Sequence, residues 1–219
     1  MPTDANPLIQ HDYRPIPGWS LVIFLLALPV IGFVVLRFLP NHEMMSILGA
    51  FFAVGLLAVI VAVAPLGRAA GPALGLRPAN WKYPVLGAIG TLALSVAVSQ
   101  IGIEPEGVKQ VIEGVREPRQ LTISLLCLAL LAPLVEELVF RGLLYGWIAG
   151  RWGSWPALIV STLAFAGAHW EPAHVVLVLP LGLLFGWLRR RTDSLLPSLV
   201  AHIVNNGFAL LAAVYLPGV

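Results

Sequence analysis

Long apolar runs with almost no charge constrain this chain more than any other feature of its sequence. Of its 219 residues, 58% are hydrophobic and only 11% are charged, and the mean hydropathy is +0.88. An ordinary soluble domain is about 25% charged. A chain with so few charges cannot hide its apolar surface in one soluble core, so the sequence predicts a protein whose solvent is lipid.

Seven such runs follow one another, and a transmembrane helix needs about 20 mainly apolar residues. We therefore predict an all-α, polytopic membrane helical bundle of about seven transmembrane helices, within a range of six to eight. Residues 1–18 would form an N-terminal cytoplasmic tail, and residues 19–219 a single transmembrane domain. The predicted spans are 19–36, 44–64, 83–103, 121–150, 152–168, 175–188 and 194–216.

The placement of basic residues predicts the orientation, because cytoplasmic loops carry an excess of Lys and Arg. Loops on one side of the predicted bundle hold most of the basic residues. On the other side, Arg37 is the one basic residue outside the mixed segment 104–119, which has four Glu, one Lys and two Arg. We expect the N-terminus in the cytoplasm, Val219 outside, and the chain in the plasma membrane of a bacterium. The basic residues used are Arg14, Arg68, Arg77, Lys82, Arg151 and Arg189 to Arg191.

Composition also excludes several classes of protein. The only basic cluster is the triplet Arg189 to Arg191, which membrane topology explains, so no nucleic-acid partner is expected. Cys127 is the single cysteine, which rules out a disulfide framework or a thiolate metal cage within one chain. Residues 1–18 lack the basic start and cleavage site of a secretory signal, so we expect the first span to be a retained anchor.

Two further patterns concern packing and the membrane surface. Val108, Val111, Ile112 and Val115 recur at helical spacing within the polar segment 105–120. This predicts an amphipathic helix on the membrane surface, with an ordinary solvated loop as the alternative. Residues 142–147 and 182–187 share a small-xxx-small pattern, which we interpret as close helix packing.

The first polar cluster inside a predicted span is Glu136-Glu137, followed by Arg141. Residues four apart lie on the same helical face, so Glu137 and Arg141 should pair. Glu136 points about 100 degrees away around the helix and has no partner there. We expect Glu136 to be the general base of a hydrolytic site. The alternative is that all three residues form one structural ion cluster.

The second and third clusters bring two histidines to similar depth. Phe165 and His169 are four residues apart at the end of one span, and His202 and Asn206 are four apart in the last. An imidazole and a carboxamide on one face can donate to an oxyanion, and Asn205 is a competitor for that role. Alternatively, His169 is an interfacial residue, and the last cluster bridges helices. Three histidines fall outside the predicted site: His11, His42 and His174.

Together these clusters resemble the three signature motifs of the CPBP family, the CAAX-processing and bacteriocin-processing membrane proteases. That family is also known as type II CAAX prenyl endopeptidases or ABI-domain proteins. Its motifs are Glu-Glu-x-x-x-Arg, Phe-x-x-x-His and His-x-x-x-Asn or Asp, in that order. The chain has all three, at residues 136–141, 165–169 and 202–206. The resemblance covers a core of about residues 121–207.

The resemblance implies an intramembrane endopeptidase and a role for each motif residue. Glu136 would activate a water molecule with the help of His169, and His202 with Asn206 would stabilise the oxyanion. Supporting roles would fall to Glu137, Arg141 and Phe165. No cofactor is expected on this mechanism. The alternative is a zinc protease in which Glu136, His169 and His202 are the ligands.

Other classes of protein remain open at this stage. An ion-coupled transporter would also place Glu and His at membrane depth, although no convincing pair of repeats is present. A bacteriocin-immunity protein without catalysis is the other alternative. For the enzyme, we expect the partners to be the lipid bilayer and a peptide or prenylated protein. The sequence does not choose between a CAAX tail and another membrane-associated substrate.

Overall fold

A computed structural model describes residues 15–40, 43–115 and 117–216. Most of the predicted N-terminal tail, with Arg14 and His11, lies outside these residues, as does His42. Within the described part, the chain forms eight helices and the fold class predicted from sequence is confirmed. The helices are α1 (Gly18–Arg37), α2 (Met44–Leu74), α3 (Lys82–Ser99), α4 (Glu106–Glu113), α5 (Pro118–Trp152), α6 (Ser154–Gly167), α7 (Pro172–Thr192) and α8 (Leu196–Tyr215).

Six of the described helices are long and apolar enough to cross a membrane: α1, α2, α3, α5, α7 and α8. The predicted fifth span, α6, has only 14 residues. Such a helix is about 21 Å long, whereas a bilayer has about 30 Å of hydrocarbon. By contrast, α7 has 21 residues and is longer than the predicted span 175–188. Within the described residues, this polytopic membrane protein thus has six long apolar helices and one short one.

The longest helix, α5, lies at the centre of the bundle and contacts α1, α2, α6 and α8. A capping box between Glu117 and Gln120 begins it. Its backbone winds more widely than an α-helix, with i to i+5 hydrogen bonds, over Leu125–Leu131 and Glu137–Leu144. Such wide turns are frequent at functional sites, and here the second one carries the Glu-x-x-x-Arg pair.

Wide turns also offer backbone carbonyl groups to other helices. Within the first, the Leu128 carbonyl accepts a hydrogen bond of 3.0 Å from Asn206 Nδ2. Within the second, the Arg141 carbonyl accepts one of 3.0 Å from Arg189 Nε. Both donors come from helices far along the chain, α8 and α7. These bonds fix the two wide turns of α5 against the helices that carry the rest of the site.

Arg189, the first arginine of the basic triplet, has a structural role that the sequence did not indicate. Its side chain is fully buried and donates to Asp193 at 2.9 Å, while Asp193 also pairs with Arg77 at 2.8 Å. Gly75 has a φ of +83°, and a Cβ there would lie 2.7 Å from the Arg189 guanidinium. The other two arginines of the triplet contact aromatic rings, with Arg190 over the Trp155 ring and Arg191 over that of Tyr83.

The glycines of the repeated pattern confirm its interpretation as close packing. A Cβ at Gly182 would lie 3.0 Å from the Phe165 ring, and one at Gly186 would lie 3.0 Å from Thr162 Oγ1. A Cβ at Gly142 would lie 2.9 Å from Leu74. The absence of side chains at these positions allows α7 to approach α6, and α5 to approach the end of α2.

Replacement of Gly186 by valine should weaken this packing. The new side chain would meet Thr162 Oγ1 at 3.0 Å and Leu158 Cγ at 3.2 Å, so we expect a loss of about 1–3 kcal/mol in unfolding free energy. Thermal unfolding in detergent, followed by the loss of monodisperse protein, measures this. Gly71→Ala is the control, because nothing lies within 4 Å of the position that its new Cβ would take. Equal melting temperatures for the two variants would contradict the packing argument.

Candidate active site

The carboxylate of Glu137 is the centre of a buried polar cluster. Its Oε1 atom accepts hydrogen bonds of 3.1 Å from Arg141 and 3.1 Å from His202 Nδ1. The Glu137 and Arg141 side chains have no solvent exposure at all. The pair predicted from the i, i+4 spacing is therefore present, and α8 adds His202 as a third member.

Arg141 is held by more than its carboxylate partner. One terminal nitrogen donates to the Gly182 carbonyl of α7 at 2.9 Å, and the Thr162 hydroxyl donates to the same carbonyl at 3.1 Å. The guanidinium lies 4.3 Å from the centre of the Phe165 ring, which adds a cation–π attraction. A buried cation with these contacts keeps Glu137 ionised and fixed in place.

Glu136 has a different environment from its neighbour. Its side chain remains 20% exposed, and it faces a cavity among the helices. Its partner comes from another helix, because Oε2 lies 3.5 Å from His202 Nε2. The absence of a partner on its own helix was predicted correctly, but the contact from α8 depends on tertiary structure. Of the two adjacent glutamates, Glu137 is thus buried in an ion pair, whereas Glu136 is accessible from the cavity.

The imidazole of His202 bridges these two carboxylates. Since a carboxylate only accepts, Nδ1 must carry the proton donated to Glu137, and Nε2 is left facing Glu136. The ring of Phe185 stacks on the imidazole at 4.7 Å and 22°, and Phe165 contacts it edge-on at 5.6 Å. Two aromatic rings and the Glu137 bond together determine the direction of Nε2.

The two asparagines of α8 are distinguished by their contacts. Asn205 is buried and donates to Asn206 Oδ1 at 3.3 Å, while its own oxygen accepts from Thr91 at 3.4 Å. Both asparagines line the cavity, but Asn206 is partly exposed. It gives one bond to the Leu128 carbonyl, which leaves a second N–H on Nδ2 for another acceptor. Geometry therefore favours Asn206 over Asn205 as the group that reaches a substrate.

His169 lies just beyond the end of α6. Its Nδ1 donates to the Phe165 carbonyl at 2.9 Å, so Nε2 is the nitrogen without a proton when the ring is neutral. The Phe165 ring contacts the imidazole at 5.0 Å. His174, which sequence reasoning left out, lies 4.5 Å from His169 ring to ring and lines the same cavity. Its spacing of five residues crosses a turn, and no helical pattern could have indicated this contact.

Two cavities meet at these residues. The first, of about 430 Å³, has Glu136, His169, His202 and Asn206 in its wall, with mostly apolar side chains around them. The second, of about 550 Å³, lies between α1, α2 and α5 and shares Glu136 and His169 with the first. Apart from these two residues its wall is apolar: Leu21, Phe24, Leu25, Leu28, Phe51, Phe52, Gly55, Val135, Val139, Phe140, Leu143, Leu144 and Ala168.

The zinc alternative requires three ligands around one ion. Among residues 15–40, 43–115 and 117–216, no group of three or more His, Cys, Asp or Glu side chains is arranged to hold a metal ion. In this arrangement Glu136, His169 and His202 do not form such a group. The metal-free mechanism and the zinc alternative both stay predictions.

Loss of the buried cation should be costly, because it would leave Glu137 charged without compensation. We expect Arg141→Met to lower the unfolding free energy by about 3–5 kcal/mol. The double variant Glu137→Met with Arg141→Met should recover part of this loss, since no buried charge is then unpaired. Lys109→Met, at an ion pair that is 45% exposed on the lysine side, is the control and should change little. A double variant no more stable than Arg141→Met would refute the argument from charge.

Comparisons with known proteins point to the same segment. A family model described as "Type II CAAX prenyl endopeptidase Rce1-like" matches residues 118–208, which include all seven motif residues. The chain is also 24% identical over 211 residues to "Putative membrane peptidase YdiL" of Bacillus subtilis (strain 168), across 96% of this chain and 75% of that relative. No solved structure matches the chain. The resemblance to type II CAAX prenyl endopeptidases predicted from the three motifs is thus confirmed over the segment that builds the site.

Proposed function

We propose that this protein is an intramembrane endopeptidase that hydrolyses a peptide bond in a membrane-associated substrate, with Glu136 as the base that activates water. The observation that carries the proposal is the difference between two adjacent carboxylates. Glu137 is buried and paired with Arg141, while Glu136 is partly exposed in the cavity wall. The similarity to Rce1-like endopeptidases and to a relative named as a membrane peptidase supports the same reaction.

In this mechanism Glu136 removes a proton from a water molecule in the cavity. The resulting hydroxide attacks the carbonyl carbon of the scissile bond, and the carbonyl oxygen becomes an oxyanion. Glu136 then returns the proton to the nitrogen of the leaving amine as the carbon–nitrogen bond breaks. His169 contributes through Nε2, which is free to accept a hydrogen bond from the water because Nδ1 is bonded to Phe165. The products are a carboxylic acid and an amine, which ionise together to a carboxylate and an ammonium group, and no other reactant is consumed.

The oxyanion would be stabilised from α8. Asn206 has an N–H on Nδ2 in addition to the one that binds Leu128. We assign His202 to the same role through Nε2, whose direction is set by the hydrogen bond from Nδ1 to Glu137. Donors held in a cavity of low polarity act more strongly than in water and need little reorganisation during the reaction.

The shape of the cavities supports a substrate with both a peptide and a hydrocarbon part. The first cavity brings the polar residues together, and the second continues from Glu136 and His169 between apolar walls. A prenylated CAAX tail has these two parts, so we propose it as the substrate class to test first. The plasma membrane, with a cytoplasmic N-terminus, is the proposed location.

The decisive experiment is cleavage of a fluorogenic farnesylated CAAX peptide by the purified protein in detergent. We expect Glu136→Gln to abolish cleavage, since an amide cannot take the proton, while the shape of the side chain is kept. Wild-type activity should survive a metal chelator. Glu104→Gln, which changes an exposed glutamate, should retain full activity.

Other outcomes of this experiment would point to a different mechanism or function. Activity lost on chelation and restored by zinc would assign Glu136, His169 and His202 to a metal site. Full activity in Glu136→Gln would refute the role of that residue. No cleavage by the wild type, of this peptide or of an unprenylated membrane peptide, would favour ion transport or bacteriocin immunity over proteolysis.

Asn206→Ala tests the oxyanion donor separately. Removal of one such donor typically lowers kcat by about 10²–10³-fold, and we expect a loss in this range with little change in KM. Asn80→Ala removes an exposed amide in the loop before α3 and should have no effect. An increase in KM with unchanged kcat would show instead that Asn206 binds the substrate and its transition state equally.

A further inference from the structure

The amphipathic helix α4 (Glu106–Glu113) forms part of the wall of the catalytic cavity. Its residues Gly107, Val108, Val111 and Ile112 line the same cavity as Glu136, His169 and His202. The helix packs against α8. The apolar face that the sequence assigned to the membrane surface is therefore directed, at least in part, toward the site.

The first turn of α4 is held by a residue from the other side of the site. Glu171 accepts hydrogen bonds from the backbone N–H groups of Glu106 at 2.7 Å and Gly107 at 3.3 Å. The first N–H groups of a helix have no partner within the helix, and a carboxylate also interacts favourably with the helix dipole. Glu171 thus caps a helix that begins 65 residues earlier in the chain.

A tight turn joins this cap to His169. Trp170, the residue between them, has a φ of +60°, in the left-handed region that is costly for a side chain other than glycine. The Glu171 N–H donates to the His169 carbonyl at 2.6 Å. With this backbone, one turn presents the His169 ring to the cavity and the Glu171 carboxylate to α4.

We propose that Glu171 is a positioning residue that fixes α4 over the cavity relative to His169, so that the α4 side chains contact the substrate beside the scissile bond. The contact of α4 with the substrate rests on the endopeptidase function proposed above. The tether, by which we mean the hydrogen bonds between Glu171 and the first turn of α4, does not. Loss of the cap would loosen the substrate-binding wall and leave the catalytic groups of α5 and α8 in place.

Trypsin measures the tether without any reference to activity. Lys109 lies within α4 and is 45% exposed, so cleavage after it requires local opening of the helix. We expect cleavage at Lys109 to be about fivefold faster in Glu171→Ala, as the usual effect of losing a cap implies, with Glu171→Gln intermediate because its amide oxygen retains one acceptor. Glu43→Ala is the control, since it removes an exposed acid that makes no cap hydrogen bond and is not the ion-pair partner of Lys109.

Peptidase kinetics measure the second part of the proposal. Glu171→Ala should raise KM about three- to tenfold and change kcat less than twofold, a split expected when substrate binding alone is lost. Rates of trypsin cleavage equal to wild type in Glu171→Ala would overturn the tether. Faster trypsin cleavage with an unchanged KM would overturn substrate contact by α4. If the wild type cleaves no peptide, the proposed function and the contact role both fail, and the trypsin result still decides the tether.

Discussion

The ion pair between Glu137 and Arg141 is the interaction on which the site depends. Two charges without solvent exposure are tolerated in a membrane bundle only when they neutralise each other and bind further polar groups. Arg141 meets this condition through the Gly182 carbonyl and Glu137 through His202. One buried pair on α5 therefore determines how α7 and α8 approach it, and the orientation of His202 follows.

The wide turns of α5 add contacts between its backbone and the helices α7 and α8. They present the Leu128 and Arg141 carbonyls to Asn206 and Arg189, and both donors are side chains of other helices. In a medium without water, a free carbonyl in a helix requires such a partner. Side chains of α7 and α8 thus supply hydrogen bonds to the carbonyls that the wide turns leave free. These bonds also hold α7 and α8 against α5, where the site is assembled.

Much of this could be predicted from the sequence, because the relevant patterns are local. Length and hydropathy define the long spans, and the spacing of four residues places Glu137 beside Arg141 and His202 beside Asn206. The separate environments of the two glutamates were partly predictable, since neighbouring residues point in different directions on a helix. The catalytic roles of these residues remain proposals that mutagenesis must test.

Other features had no local signal. No pattern indicated that Arg189 would be buried and bonded to the Arg141 carbonyl, or that His174 would contact His169 across a turn. Glu171 caps α4 over a separation of 65 residues. The sequence by itself determined a helical membrane protein and the polar residues proposed to carry its chemistry, since helical periodicity and hydropathy are properties of neighbouring residues. Only the tertiary structure decided which glutamate faces the cavity, which nitrogen of His202 faces each glutamate and which helix forms the wall, because these depend on contacts between distant segments.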